Sequence, residues 1–297
     1  MDVAEAVLER LPDAVIILDR EFRFRYINPA AIALYEMTRE ELYGHVMWDV
    51  FPKAVGSISH VECLRVLATG ETAKFETHYK PWNKWFESIV VPAGDGVAVH
   101  FRDITLRKHA SMIVDGQRRA LELALFGAQL PDILAELTHA VDQLASEGTM
   151  ASIMLIENGR MHTGAAPRIA AAFSRAIDGL GIGPNVGSCG TAAHTGQLSV
   201  ARDIQTDPRW LLYRGLAAAH DLRACWSSPI RASHGEIVGT FALYHSDVHE
   251  PDDEERHAVD VLSRTAAIVI ERARTVRDKH VADDELRRVK AALAEIR

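Results

Sequence analysis

The sequence predicts an α+β protein of two domains, each an antiparallel sheet flanked by helices, joined and followed by long coiled-coil-like helices. Strand-like runs that alternate apolar and polar residues fall into two groups, each with a glycine-marked hairpin, Gly94-Asp95-Gly96 and Asn158-Gly159. Apolar seams with alternating three- and four-residue steps appear near 106–126 and again from about Asp253. The chain has 297 residues, 48% of them hydrophobic and 25% charged, enough for two domains that each bury a core.

In the first group, AVIILD and RFRYIN read as two strands joined at Arg20 and Glu21, and Pro29 opens a helix over PAAIALYEM. Thr38 and Glu41 have capping-box spacing, so a short helix starts there. A longer helix runs from about Ser59 to Ala68 and stops at Gly70. AKFETHYK, KWFESIVVPA and GVAVHFRDI complete the sheet.

The linker seam is Leu106, Ala110, Ile113, Ala120 and Ala124, interrupted only by Gln117. Pro131 begins a helix with Leu134, Leu137, Val141 and Leu144 on one face. The hairpin in ASIMLIENGRMHTG follows, then a helix from about Arg168 to Gly179, a glycine-rich stretch, and the strands RACWSSPI and EIVGTFALYHS. The final helix has one seam of Leu262, Ala266, Val269, Ala273 and Val276, and a second of Leu286, Val289, Leu293 and Ile296. Continuing the first register reaches His280, Asp283 and Arg287, so the seams are out of phase, either as a stutter or as a solvated end.

Composition excludes several classes. A net charge of −8 argues against a nucleic-acid footprint. There is no run of about 18 apolar residues to span a membrane, and the start, MDVAEAVLERLPDAV, lacks the features of a secretory signal. Cys63, Cys189 and Cys225 are too few and too scattered for a disulfide framework or a CxxC site, which fits a reducing cytoplasm. Trp82, Trp85 and Trp226 lack basic interleaving and read as core rather than as a base-stacking platform.

Residues 8 to 109 resemble a PAS domain through YINPAAIALYEMTREELYGHVMWDVFP, FETHYKPWNKWFESIVVPAGDGVAVHFRDIT and the closing Asp103-Ile104-Thr105. The resemblance implies that this last triplet pins the final strand to the exit helix. Residues 120 to 272 resemble a GAF domain of the kind that follows a PAS domain in bacterial sensors, through AAPRIAAAFSRAIDGLGIGPNVGSCGTAAHTG, ARDIQTDPRW, LRACWSSPI and IVGTFALYHS. The implied layout is a PAS-like domain over 1–105, a linker helix over 106–128, a GAF-like domain over 129–272 and a signalling helix over 273–297. Such proteins usually end in a histidine kinase or a diguanylate cyclase. No kinase-like ATP-site glycine motif or Gly-Gly-Asp-Glu-Phe stretch occurs before Arg297, so the expected output lies outside this sequence. The implied assembly is a homodimer, with the helices at 106–126 and 253–297 pairing in parallel between protomers and small residues such as Ala110, Ala120, Ala124, Ala266 and Ala273 allowing them to re-pack.

The cofactor, if any, stays unidentified at this level. His60, near the start of the long helix of the first domain, is either a haem ligand as in haem-binding PAS sensors or a satisfied histidine. A flavin-adduct photosensor is disfavoured, because Asn28 is followed by Pro29 instead of a cysteine. Cys189 in Gly187-Ser188-Cys189-Gly190 is either a low-pKa thiol (for redox chemistry or bilin attachment) or a packed core residue. Free methionine sulfoxide reductases share a Gly-x-Cys-Gly stretch but need further loop cysteines, and none occurs between Cys189 and Cys225. The segment from Asp203 to Arg223 is the expected lid over a small-molecule pocket, with Asp203, Trp210, Tyr213, Arg214 and His220 as ligand-binding residues, or else a structural helix anchored by Trp210.

Overall fold

A computed structural model describes residues 3–144 and 148–295, with the backbone alone at 3–5, 289 and 291–295. Internal contacts divide the chain at His109 and Ala110 into two units.

The first unit opens with helix α1 (Val3–Leu8), then strands β1 (Ala14–Leu18) and β2 (Phe24–Ile27). Short helices α2 (Pro29–Tyr35), α3 (Arg39–Leu42) and α4 (Met47–Val50) lead to α5 (Ile58–Thr69), and β3 (Ala73–Tyr79), β4 (Lys84–Ala93) and β5 (Gly96–Asp103) close the domain. The sheet is antiparallel in the order β2-β1-β5-β4-β3. Local chemistry sets the elements. Thr38 and Glu41 form the full capping box of α3, each side chain accepting the other residue's backbone N–H. Gly70 ends α5 at φ 72°, a conformation that costs an L side chain energy. Asn28, buried at the α2 N-cap, accepts from Val15 N and Ala31 N and donates to the carbonyls of Leu8 and Asp13, tying α1, β1 and α2 together. Ala31, Tyr35, Leu42, Cys63 and Val66 pack onto Ile16, Leu18, Phe24, Val90 and Phe101 of the sheet.

Asp103, Ile104 and Thr105 form the expected pin. Thr105 Oγ1 donates to Asp103 Oδ1 at 2.6 Å and accepts from Trp85 N at 2.9 Å, so the start of α6 (Thr105–Leu125) is bonded to β4 and β5.

The second unit contains α7 (Leu130–Leu144), β6 (Met150–Glu157), β7 (Arg160–Ala165), α8 (Ala171–Ile177), α9 (Gly187–Thr195), β8 (Ser199–Ala201), α10 (Arg214–Ala218), β9 (Ala224–Arg231), β10 (Ile237–His245) and α11 (Asp253–Glu295). Its sheet order is β7-β6-β10-β9-β8. Alternation splits the sheet between two cores. Ile153, Trp226, Phe241 and Leu243 face α6, α7 and α11, while Met154, Cys225, Ala242 and Tyr244 face α8, α9 and α10. The helix read from Arg168 to Gly179 is shorter in the structure, because the Arg168 side chain is engaged on Thr149 O and a turn bonds Ile169 N to Ala166 O.

The middle of the linker seam and the start of the α11 seam face inward, while Leu106, Ala110 and Val276 are exposed. Ile113, Ala120 and Ala124 of α6 and Leu262, Ala266 and Val269 of α11 are buried in this unit's own core. Gln117, the polar break in the first seam, donates to Thr265 Oγ1 of α11 at 2.8 Å. Gly116 lets α6 approach α7 so closely that a Cβ there would lie 2.5 Å from Ala140 Cβ. Arg274 reaches the carbonyls of Ile156 and Val238, and the described side chains of α11 from Thr275 onward are exposed. Of the second seam, Leu286 is exposed, whereas Ile296 and the side chains of Val289 and Leu293 lie outside the described residues. Among the described residues, no helix is long and apolar enough to cross a membrane.

Candidate functional site

The concave site of the second unit lies between the sheet and the segment that follows β8. Helix α9 begins at Gly187, whose φ of 56° suits glycine and which lies beside the Trp210 ring, where a Cβ would stand 3.4 Å away in ordinary contact. The following segment is folded by its own polar groups. Asp203 O accepts from Thr206 N and Asp207 N, and Asp207 caps a 3-10 turn by accepting from Arg209 N at 2.9 Å. Arg209 pairs with Asp207 and reaches across to Ser199 Oγ and Val200 O of β8.

Trp210 and Tyr213 enter the pocket from this side, and Ser188, Cys189 and Tyr244 meet them from α9 and β10. Trp210 Nε1 donates to Ser188 Oγ at 3.1 Å, which in turn donates to Cys225 O at 2.8 Å. Phe173, Ile177, Leu180, Val186 and Met161 supply apolar walls. The concavity measures about 300 Å³ including its open mouth, most of it open to solvent or hemmed in by the lining side chains, with little enclosed free space. That is room for roughly one water.

The other expected ligand contacts act on the frame of the segment. Asp203 Oδ2 pairs with Arg223 at 2.8 Å and Oδ1 accepts from Gln205 N. Arg214 donates to Asp207 O, with its buried Nε lacking a partner. His220 packs edge-on against Phe173, whose ring also packs edge-on against Tyr244.

Behind the lining lies a polar layer that sequence reading missed. Cys189 and Cys225, 36 positions apart in the chain, lie in the same buried cluster, with Cys189 Sγ 3.6 Å from Tyr244 Oη and Cys225 Sγ 3.9 Å from Trp226 O. The neighbouring Cys225 thiol holds Cys189 below the usual thiol range against the effect of burial, aided by the Tyr244 hydroxyl. Burial pushes Cys225 well up. Ser152, Ser227 and Thr240 stand on adjacent strands, buried, and each hydroxyl lacks a hydrogen bond of normal geometry. The signal for this layer was a hydroxyl residue in each strand two positions from a residue of the same core face: Ser152 from Met154 in β6, Ser227 from Cys225 in β9 and Thr240 from Ala242 in β10.

In the first unit His60 sits in the first turn of α5. Its Nδ1 accepts from Gly56 N at 3.1 Å and its ring packs edge-on to Trp48. The space facing the sheet is filled by Tyr35, Phe51, Trp82 and Phe101, with ring centroids 4.8 to 6.0 Å from Tyr35. Burial pushes the Cys63 thiol up to about 12, so it packs as a small apolar group. Neither setting suits a large planar cofactor in this conformation: aromatic rings occupy the first pocket, and a bilin on Cys189 has no room in the second.

The PAS fold model matches residues 8–109 and the GAF domain model residues 127–271. The methyl sulfide methyltransferase-associated sensor of Methanosarcina acetivorans is 34% identical over 171 residues, 57% of this chain and 17% of that protein. An uncharacterized protein, y4lL, of Sinorhizobium fredii is 31% identical over 112 residues, 38% of this chain and 12% of its own. The chain therefore spans less than a fifth of either relative. A solved GAF domain from an Acinetobacter phosphoenolpyruvate-protein phosphotransferase is 14% identical, covers 56% of this chain and 98% of its own, and has a TM-score of 0.44. The chain carries a PAS-fold domain followed by a GAF domain.

Proposed function

We propose that this chain is the sensory input of a cytoplasmic signalling protein, and that its GAF domain binds a small molecule between the sheet and the segment from Asp203 to Arg223. One observation carries the reading: three buried hydroxyls, those of Ser152, Ser227 and Thr240, lie unsatisfied behind a pocket whose walls are otherwise apolar. An unpartnered buried polar group costs about 1–3 kcal/mol, and a ligand with an apolar body that displaces part of the lining and reaches this layer with one or two polar atoms would recover part of that. Such a ligand exceeds the present free space, so binding lifts the segment and breaks the bond from Trp210 to Ser188. The motion reaches α11 through β9 and β10, which pack against it on the opposite face. A homodimer would transmit the change to a kinase or cyclase output. Since the buried part of each seam is consumed, its contacts would use outward residues such as Val114, Leu121 and Ile268.

The test is native mass spectrometry of the full chain, combined with thermal unfolding against a metabolite panel. A bound mass or a raised Tm that disappears in Tyr213→Ala, with that variant still folded, supports the reading. No bound mass and no shift across the panel would overturn it.

The placing of Cys189 and Cys225 in one buried cluster favours a second reading, a thiol oxidoreductase of the methionine sulfoxide reductase kind. Two thiols would become a disulfide, passing two electrons and two protons to a sulfoxide that leaves as thioether and water. Both sulfurs are nearly inaccessible in the present conformation. A turnover assay with free methionine sulfoxide decides: no turnover, or turnover unchanged in Cys225→Ser, ends this reading.

A further inference from the structure

We propose that His245, His249 and Glu255 form a binding site for a divalent transition-metal ion of the zinc class at the root of α11. Neither the pocket nor the thiols contribute to it, and it stands independently of the ligand reading above.

Three structural segments bring these side chains together. β10 ends at His245, the following loop is held by His249 N donating to Arg202 O at 3.1 Å, and Glu255 lies in the first turn of α11. Asp252 Oδ1 accepts from Glu255 N at 2.8 Å and so caps that turn. One donor atom from each of the three side chains lies within 4.8 Å of the others. His249 Nε2 is 2.8 Å from Glu255 Oε2, and His245 Nε2 is 3.9 Å from Glu255 Oε1. The imidazole rings stack, with centroids 3.7 Å apart at an interplanar angle of 22°.

The second observation is the orphaned nitrogen. The His245 side chain is 7% exposed and its Nε2 has no hydrogen-bond partner, while Nδ1 lies 3.1 Å from Thr149 Oγ1. If Nδ1 donates to Thr149, the Nε2 lone pair is left for a metal, with the threonine fixing tautomer and ring orientation from behind. A hydrogen-bonded His–Glu pair without metal would satisfy His249 and Glu255 and leave His245 Nε2 as it is.

Two imidazoles and a carboxylate suit zinc and its neighbours better than calcium or magnesium, which want oxygen ligands. Zinc–ligand distances of about 2.0–2.2 Å in a tetrahedron put donors about 3.3 Å apart. Loading therefore needs the rings to splay from their stack and His245 to close on Glu255 by well under 1 Å. Three protein ligands leave a fourth position for water or another donor, and His249, 28% exposed, forms the mouth. An ion here would clamp the end of β10 to the first turn of the helix that leaves the domain.

The test uses the full chain, stripped with chelator and titrated with Zn²⁺ against a chromophoric competitor, with Co²⁺ as a spectroscopic probe. One equivalent should bind, raise the Tm, and give Co²⁺ the visible bands of a four-coordinate ion. His249→Ala and Glu255→Gln should each weaken binding by at least about tenfold, since even outer-shell partners of a metal account for 10–100-fold. His234→Ala, which alters a different His–carboxylate group with Glu236 and Glu271, should leave binding unchanged. X-ray absorption on the unmutated zinc form should count two imidazoles, a readout that does not depend on variants folding. The competitor keeping all the metal, binding unmoved by both ligand variants, or fewer than two imidazoles would overturn the site.

Discussion

Trp210 Nε1 donates a 3.1 Å hydrogen bond to Ser188 Oγ, and this bond ties the covering segment to the helix that carries Cys189. Trp210 is nearly fully buried, with its ring against Gly187. Trp210→Phe should cost about 0.5–1.5 kcal/mol for the lost bond plus a small packing term. Trp210→Ala should cost about 3–5 kcal/mol as a core truncation. Urea denaturation distinguishes the two: equal losses would mean that the indole packs without holding the segment.

Asp142 is a buried carboxylate whose Oδ1 accepts from Ala151 N and whose Oδ2 has no partner. Burial pushes it up to about 6, against the pull of that bond and of Arg168. The folded protein thus holds the proton more tightly than the unfolded chain, whose group titrates near 3.8. Its contribution to stability is present below about 3.8 and is lost as pH rises through about 6. Asp142→Asn should therefore raise Tm at pH 7.5 and have little effect at pH 4, as measured by thermal unfolding at both values. A gain of equal size at both pH values would contradict this assignment.

Gly116 in α6 faces Ala140 of α7 at a distance that leaves no room for a methyl group. Alanine gains about 1 kcal/mol of helix propensity over glycine, but overpacking costs about 1–3 kcal/mol. Gly116→Ala should be neutral to destabilising and Gly116→Leu strongly destabilising. Chemical denaturation reads both, and a stabilised leucine variant would show that the two helices do not pack this closely.

Thr105 Oγ1 donates to Asp103 and accepts from Trp85 N. Thr105→Val keeps the shape and strands that backbone N–H, at a cost of about 1–3 kcal/mol. Thr105→Ser should retain most of the stability. Hydrogen exchange at Trp85 and through the first turn of α6 should accelerate in the valine variant alone.

Much of the backbone was legible from sequence because its signals are local. The Thr38–Glu41 box, the Gly70 stop and the Asn158-Gly159 hairpin each act within a few residues, so their neighbours hardly matter. The buried part of each seam was legible as an apolar stripe, but the sequence alone could not say what it would pack against. Gln117 looked like a flaw in a helix pair between protomers, and it is a bond to Thr265 within one domain.

Sequence by itself determined the two domain types, the order of their elements and the presence of a long final helix. Tertiary structure decided which side chains meet. Cys189 shares a buried cluster with Cys225 because α9 lies over β9, and His245, His249 and Glu255 converge because a loop turns the chain from strand to helix. Alternation and helical periodicity say which face a side chain occupies. Only the register between distant elements says which other side chain stands opposite, and that register is set by the packing of the whole core.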